Sequence, residues 1–226
     1  MKDALYDWGG LNTWLFRLIN SIYGVAYEQA MQMLTALGDK ENFRYYFAAV
    51  VACLAIEQLL RKAHGEDIGK PEMRQAAALL VTLVMSYVAC GFAVGSMKLL
   101  IALPRPFMLE NIRATMHFPG PYPNPAEYYA TFPSSHAATV ASIVTALWYK
   151  FNHRFMHYAG IALVFMVCWS RIALGMHFPA DVAAGVIVAS FITCFVRLYV
   201  YRMMRVALPG QPPIPVPAAA TGPYKR

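Results

Sequence analysis

The chain has 226 residues, of which 58% are hydrophobic and 14% are charged. Soluble domains have roughly 45–50% apolar and about 25% charged residues, so this composition excludes an ordinary soluble enzyme, a disordered chain and a nucleic-acid-binding module. The formal net charge is +7, and the basic residues lie between long apolar runs. This arrangement indicates membrane topology rather than a nucleic-acid partner. The sequence therefore predicts an all-α integral membrane protein.

The apolar runs predict a bundle of six transmembrane helices. A helix of about 20 mostly apolar residues crosses a bilayer, and five such segments cover residues 42–60, 75–97, 135–149, 155–174 and 179–201. A sixth candidate, residues 11–37, has helical spacing but is interrupted by Arg17, Asn20, Glu28 and Gln29. This segment is predicted either as a first span or as an amphipathic helix on the membrane surface.

The distribution of Lys and Arg predicts the orientation of the helices. With six spans, most basic residues fall on the side of both chain termini, which the positive-inside rule assigns to the cytoplasm. The membrane domain is expected to cover residues 1–207. The remaining residues, 208–226, are rich in Pro and Ala and predict a disordered cytoplasmic tail. A long outer loop, about residues 103–134, joins two of the spans, and loops of this length are usually functional or disordered.

Three polar clusters stand at the outer ends of the predicted helices. The members are Lys98 and Arg105 in the first cluster, Ser134, Ser135 and His136 in the second, and Arg171, His177 and Asp181 in the third. Taken singly, each cluster has an ordinary interpretation as a snorkelling cation, a helix cap or an interfacial ion pair. The predicted topology places all three on one face of the membrane, which favours a shared function.

Together these residues have the chemistry of in-line phosphoryl transfer. Three cations neutralise phosphate oxygens, and serine hydroxyls and helix N–H groups donate hydrogen bonds to them. Asp181 follows His177 by four residues, so its carboxylate accepts a hydrogen bond from Nδ1 and leaves Nε2 as nucleophile or base. The sequence has no carboxylate cluster suited to Mg²⁺ or Zn²⁺, so we expect a mechanism without a metal or another cofactor.

The three clusters resemble the signature motifs of the type 2 phosphatidic acid phosphatase superfamily. They read Lys98-x6-Arg105-Pro106, Pro133-Ser134-Ser135-His136 and Ser170-Arg171-x5-His177-x3-Asp181. The resemblance implies a six-helix membrane core with the active site at its outer, periplasmic face, and it favours residues 11–37 as the first helix. It also implies a multi-pass enzyme of the bacterial inner membrane that acts on a lipid phosphate.

The resemblance assigns roles at the matching positions. It implies that His177 is the nucleophile, that Asp181 orients it, and that His136 protonates the leaving group and then serves as base for water. The phosphate is implied to be held by Lys98, Arg105, Ser134, Ser135 and Arg171. The family usually has glycine at the position of Ser135, so this side chain either crowds the phosphate or adds another donor.

The expected function is hydrolysis of a lipid phosphate or pyrophosphate through a phosphohistidine. The candidate substrates are undecaprenyl pyrophosphate, which we favour, phosphatidylglycerophosphate, phosphatidic acid and lipid A. An alternative is a phosphotransferase that moves phosphate from undecaprenyl pyrophosphate to lipid A. Two further alternatives are a haloperoxidase-like enzyme and a non-catalytic membrane protein that binds an anion. Membrane lipids are the other expected partners, and the sequence does not indicate an oligomeric state.

Overall fold

The computed structural model describes residues 6–66, 69–120, 122–148, 150 and 153–206, and within them the regular structure is helical, without β-strands. In this described part, eight α-helices follow one another: α1 (Leu11–Asn20), α2 (Val25–Ala36), α3 (Phe43–Ala63), α4 (Lys70–Ile101), α5 (Glu110–Arg113), α6 (Ser135–Leu147), α7 (Arg154–Ala173) and α8 (Pro179–Met203). The predicted tail, residues 208–226, lies outside the described residues.

Four helices of the described chain, α3, α4, α7 and α8, are long and apolar enough to cross a bilayer. They correspond to the predicted spans over residues 42–60, 75–97, 155–174 and 179–201. The fifth predicted span is the shorter apolar helix α6, which has 13 residues and a length of about 20 Å at 1.5 Å per residue. The chain is therefore an all-helical membrane protein, while the count of six spans is not confirmed.

Helix α6 lies at the centre of the fold and packs against α4, α7 and α8. Its buried residues include Ala137, Ala138 and Ala141, and small residues let membrane helices approach closely. A Cβ atom on Gly185 of α8 would lie 2.5 Å from the carbonyl oxygen of Ser134. Only glycine permits this approach, which fixes the start of α6 against α8.

Residues 11–37 form two short helices, α1 and α2, rather than the single helix that the sequence predicts. The two asparagines of α1, Asn12 and Asn20, lie on its buried face. Asn12 Oδ1 accepts a hydrogen bond from the backbone N–H of Ala180 (2.9 Å), and Asn20 Nδ2 donates to the carbonyl of Ala173 (2.9 Å). The apolar Trp14 on the opposite face is 58% exposed. The asparagines thus satisfy backbone groups at the ends of α7 and α8.

The predicted outer loop, residues 103–134, has an irregular backbone with short helical turns such as Pro106–Met108 and Pro125–Glu127, besides α5. His117 attaches this loop to the first two helices. Its Nε2 lies 2.6 Å from Glu28 Oε1, and its backbone N–H donates to Asn20 Oδ1 at 2.7 Å. The loop therefore packs against α1 and α2 before it reaches the start of α6.

Candidate active site

His177 lies in the turn between α7 and α8, and only 2% of its surface is exposed. Gly175 has a φ of +70°, a left-handed conformation that favours glycine because glycine has no Cβ. The chain reverses there, so that the backbone N–H of His177 reaches the carbonyl of Arg171 at 3.3 Å. This turn fixes the backbone of the predicted nucleophile.

The Nδ1 atom of His177 faces two oxygens. It lies 3.2 Å from Thr131 Oγ1 and 3.4 Å from Asp181 Oδ2. The Thr131 hydroxyl donates its proton to Asp181 Oδ2 at 2.5 Å, so its lone pairs accept from Nδ1–H. This arrangement selects the tautomer with the proton on Nδ1, and Nε2 is then the basic nitrogen of the ring.

Asp181 is fully buried in the first turn of α8. Besides the Thr131 bond, its carboxylate accepts hydrogen bonds from Tyr6 Oη (2.6 Å) and from the backbone N–H of Phe178 (2.8 Å). The positive end of the helix dipole also favours a carboxylate at this position. Burial, and then the charge of Asp181, raise the pKa of Tyr6 above its usual value. Tyr6 is therefore a neutral donor that helps to fix Asp181 behind His177.

The cations Lys98 and Arg105 are held mainly by backbone carbonyls. Lys98 Nζ donates to the carbonyl of Ala130 at 2.6 Å. Arg105 donates from Nε to the carbonyl of Glu127 (2.9 Å) and from Nη1 to that of Met176 (3.3 Å). The Glu127 carboxylate also lies 3.2 Å from Arg105 Nη2, but its side chain is 58% exposed. The outer loop and the His177 turn thus position these two cations together.

Arg171 and Ser134 are buried donors with unused hydrogen-bonding capacity. Arg171 Nη1 donates to Thr35 Oγ1 at 2.8 Å, but its Nε has no hydrogen-bond partner within the described part of the chain. The same holds there for the hydroxyl of Ser134, a fully buried residue. Because buried polar groups are nearly always paired, these two atoms indicate a binding site for a hydrogen-bond acceptor.

His136 and Ser135 form the first turn of α6, and this turn is fixed from two sides. A Cβ atom on Gly38, in the connection between α2 and α3, would lie 2.9 Å from both Cβ and the carbonyl oxygen of His136. On the other side, the backbone N–H of Ser134 donates to the carbonyl of Asp181 at 3.0 Å. The second motif is therefore packed directly against the third.

Burial and the neighbouring cations determine the charge state of His177. Burial first, and then the charges of Arg171, Arg105 and Lys98, lower the pKa of His177 well below its usual value. The ring is therefore neutral at neutral pH, as a nucleophile requires. Burial also lowers the pKa of Arg105, and the charge of Glu127 partly offsets this effect. The guanidinium still remains charged, because its ordinary pKa is above about 12.

The structure brings together the eight residues that the sequence predicts for the site: Lys98, Arg105, Ser134, Ser135, His136, Arg171, His177 and Asp181. The roles assigned to them stay predictions. Sequence analysis missed three residues that touch this cluster, Tyr6, Thr35 and Thr131, and no spacing pattern indicates them. Within the described ranges, no group of three or more His, Cys, Asp or Glu side chains is placed to hold a metal ion.

Comparisons with known proteins confirm the resemblance. The sequence profile of the PAP2 superfamily matches residues 76–205, which is more than half of the chain and includes all three motifs. An undecaprenyl-diphosphatase of Sulfolobus acidocaldarius is 29% identical over 184 residues, covering 81% of this chain and 76% of that protein. The crystal structure of Aquifex aeolicus LpxE shares the fold, with a TM-score of 0.59 and 22% identity over 84% of this chain and 96% of that one. The chain therefore belongs to the PAP2 superfamily and is a membrane-spanning phosphatase.

Proposed function

We propose that this phosphatase hydrolyses a lipid phosphate or diphosphate through a covalent phosphohistidine at His177, without a metal ion. The proposal is supported mainly by two buried hydrogen-bond donors, Ser134 Oγ and Arg171 Nε, which have no partner among the described residues. Both lie in the same cluster as His177, whose ring is neutral. A phosphate group offers oxygen acceptors to both donors and negative charge to Lys98 and Arg105.

In the first step, His177 Nε2 attacks phosphorus and the bond to the leaving oxygen breaks in line. Asp181 and the Thr131 hydroxyl stabilise the Nδ1–H group as the ring gains positive charge. His136 gives a proton to the leaving oxygen, so the lipid departs as an alcohol, or as a monophosphate when the substrate is a diphosphate. His136 then takes a proton from water. The water oxygen attacks phosphorus and releases inorganic phosphate and free His177.

Among lipid phosphates we favour undecaprenyl diphosphate, because a relative that covers most of this chain is an undecaprenyl-diphosphatase. We assign the site to the periplasmic face of a bacterial inner membrane, because basic residues concentrate at the opposite ends of the long helices, among them Arg61, Lys70, Arg154 and Arg202. A phosphohistidine reacts with a lipid acceptor by the same chemistry as with water. Phosphate transfer to lipid A is therefore the competing outcome.

The test is phosphate release by detergent-purified protein in the presence of EDTA. The substrates are undecaprenyl diphosphate, phosphatidic acid, phosphatidylglycerophosphate and lipid A. Wild type is compared with His177→Ala and with His64→Ala, a matched control at an exposed histidine that follows α3. We expect His177→Ala to abolish release without loss of the fold, and His64→Ala to retain it.

A different experimental result would contradict each part of the proposal. Turnover by His177→Ala at the wild-type rate would exclude the nucleophile. Activity lost in EDTA and restored by Mg²⁺ would exclude metal independence. Phosphate that moves from undecaprenyl diphosphate to lipid A, with none released to water, would identify a phosphotransferase. A radioactive phosphate adduct that forms on wild type but not on His177→Ala would support the covalent intermediate.

A further inference from the structure

A cavity of about 400 Å³ extends from the candidate active site between α4 and α6. Lys98 and Ser135 line one end of it, and both are predicted to bind phosphate. Tyr87 and Phe43 also line the cavity, with their rings stacked at a centroid distance of 4.0 Å. Tyr87 lies eleven residues before Lys98 on α4, about 16 Å along the helix axis. The cavity is thus an elongated space with one end at the predicted phosphate site.

The two walls of the cavity are regular helix faces. On α6 the lining residues are Ser135, Ala138, Thr139, Ser142 and Ile143, and this spacing of three and four residues defines one face of a helix. On α4 the lining includes Gly91, Gly95 and Lys98, which are also four and three residues apart. Beside these glycines, Val88 and Phe92 are 62% and 78% exposed on the lipid-facing surface. The cavity therefore opens toward the side where membrane lipid lies.

Gly91 and Gly95 are not explained by close helix packing. A Cβ atom at either position would meet nothing within 4 Å. By contrast, a Cβ on Gly185 would lie 2.5 Å from the Ser134 carbonyl, and one on Gly160 would lie 2.9 Å from Val144 Cγ1. Glycine inside a helix costs about 1 kcal/mol relative to alanine. At Gly91 and Gly95 the absent side chains enlarge the cavity instead of admitting a neighbouring helix.

We propose that this cavity holds the hydrocarbon chain of the lipid phosphate substrate, and that Gly91 and Gly95 determine how bulky a chain it accepts. The proposal rests on the proposed function. A phosphate at Lys98 places the first carbons of its lipid where the cavity begins. Beyond Lys98 the lining is mostly apolar, and Lys40 is the other charged residue among the lining residues. Each methylene group of the lipid chain that is buried in the cavity raises the affinity for the substrate by about fourfold.

A second apolar cavity near the site is the competing location for the chain. It lies beside the start of α8 and is lined by Tyr6, Phe132 and Ala184, among others. None of the predicted phosphate-binding residues lines it. Ala184 therefore offers a matched control, because a leucine there fills this second cavity as a leucine at Gly95 fills the first.

The experiment compares wild type, Gly95→Leu, Gly91→Leu and Ala184→Leu on undecaprenyl diphosphate and on farnesyl diphosphate, a short-chain analogue. Leucine favours helix more than glycine does, so the glycine variants are expected to fold, and thermal unfolding in detergent checks this. We expect both glycine variants to raise KM for the long-chain substrate by at least about tenfold. We expect kcat to stay near wild type and the short-chain kcat/KM to change less than about threefold.

Several outcomes would overturn the proposal. A long-chain KM within about twofold of wild type in Gly95→Leu would show that the cavity does not hold the chain. A large KM increase in Ala184→Leu alone would place the chain in the second cavity. Equal losses on both substrates in Gly95→Leu would indicate distortion of the catalytic cluster. Wild-type protein that cleaves neither diphosphate, and none of phosphatidic acid, phosphatidylglycerophosphate and lipid A, would instead contradict the proposed function, so the two failures are distinguishable.

Discussion

Replacement of Thr131 by valine tests whether the hydroxyl between His177 and Asp181 orients the nucleophile. Valine has a similar shape, so the substitution removes mainly the hydroxyl group. Thr131 is fully buried, and bulk water therefore does not replace it. In the variant, His177 Nδ1 keeps only its 3.4 Å contact with Asp181, and Asp181 keeps its bonds from Tyr6 and Phe178.

The magnitude follows from the two contacts of the hydroxyl. It donates to the Asp181 carboxylate at 2.5 Å and lies 3.2 Å from the His177 ring, which becomes positively charged when the phosphohistidine forms. Hydrogen bonds to charged groups contribute about 1.5–3 kcal/mol. At about 1.4 kcal/mol for each tenfold in rate, Thr131→Val should lower kcat by about 10- to 100-fold. KM should change little, because the hydroxyl faces Nδ1 rather than the phosphate.

The assay measures kcat and KM on undecaprenyl diphosphate for Thr131→Val, Thr131→Ser and Tyr6→Phe. The serine variant keeps a hydroxyl and should retain most of the activity. Tyr6→Phe removes a hydrogen bond to Asp181 that does not involve His177. It should therefore lower the unfolding temperature and reduce kcat less than Thr131→Val does. A wild-type kcat in Thr131→Val would refute the reasoning. Similar losses of kcat in all three variants would indicate that Thr131 has only a structural role.

Three further predictions concern charge and packing around the cluster. Because the pKa of folded His177 lies well below its usual value of about 6.5, the unfolded chain binds this proton first as the pH falls. As the pH falls below that value, wild type should therefore lose more stability than His177→Gln in thermal unfolding, and equal losses would contradict the pKa shift. Gly38→Ala places a methyl group against His136 and should lower kcat by at least about tenfold, whereas an unchanged kcat would show that the position of His136 is not critical. Glu127→Gln removes an exposed negative charge beside Arg105, so KM should fall by up to about fivefold, and a rise in KM would show that the carboxylate positions the guanidinium.

The long helices could be predicted because their apolar runs are continuous. Residues 75–97 contain no charged residue and correspond to α4 (Lys70–Ile101). The helix begins earlier than predicted, since Lys70, Glu72 and Arg74 continue it outside the apolar run. Charged residues of this kind do not extend an apolar run, but Lys, Glu and Arg form helices readily. The convergence of the three motifs could also be predicted, because each stands at an end of a predicted span.

The first two helices and three of the contacts at the site could not be predicted in this way. In a hydrophobicity pattern, Asn20 is read as an interruption of a span, whereas in the fold it bonds the backbone of α7 and of the outer loop. Tyr6, Thr35 and Thr131 lie outside the three motifs. They contact the cluster only because segments distant in the sequence come together there. The spacing of these residues along the chain does not indicate such contacts.

The partners of Lys98 and Arg105 explain why a long outer loop accompanies the site. The closest hydrogen bonds of the three cations run from Lys98 Nζ to the Ala130 carbonyl, from Arg105 Nε to the Glu127 carbonyl and from Arg171 Nη1 to Thr35 Oγ1. These acceptors are neutral, so they fix the cations without cancelling the charge that a phosphate needs. A buried carboxylate in their place would pair with the cation and compete with the substrate. Carbonyls inside a helix already accept helical hydrogen bonds. An irregular segment such as residues 103–134 can therefore supply the free carbonyls that hold Lys98 and Arg105, whereas Arg171 is held by a side-chain hydroxyl of α2.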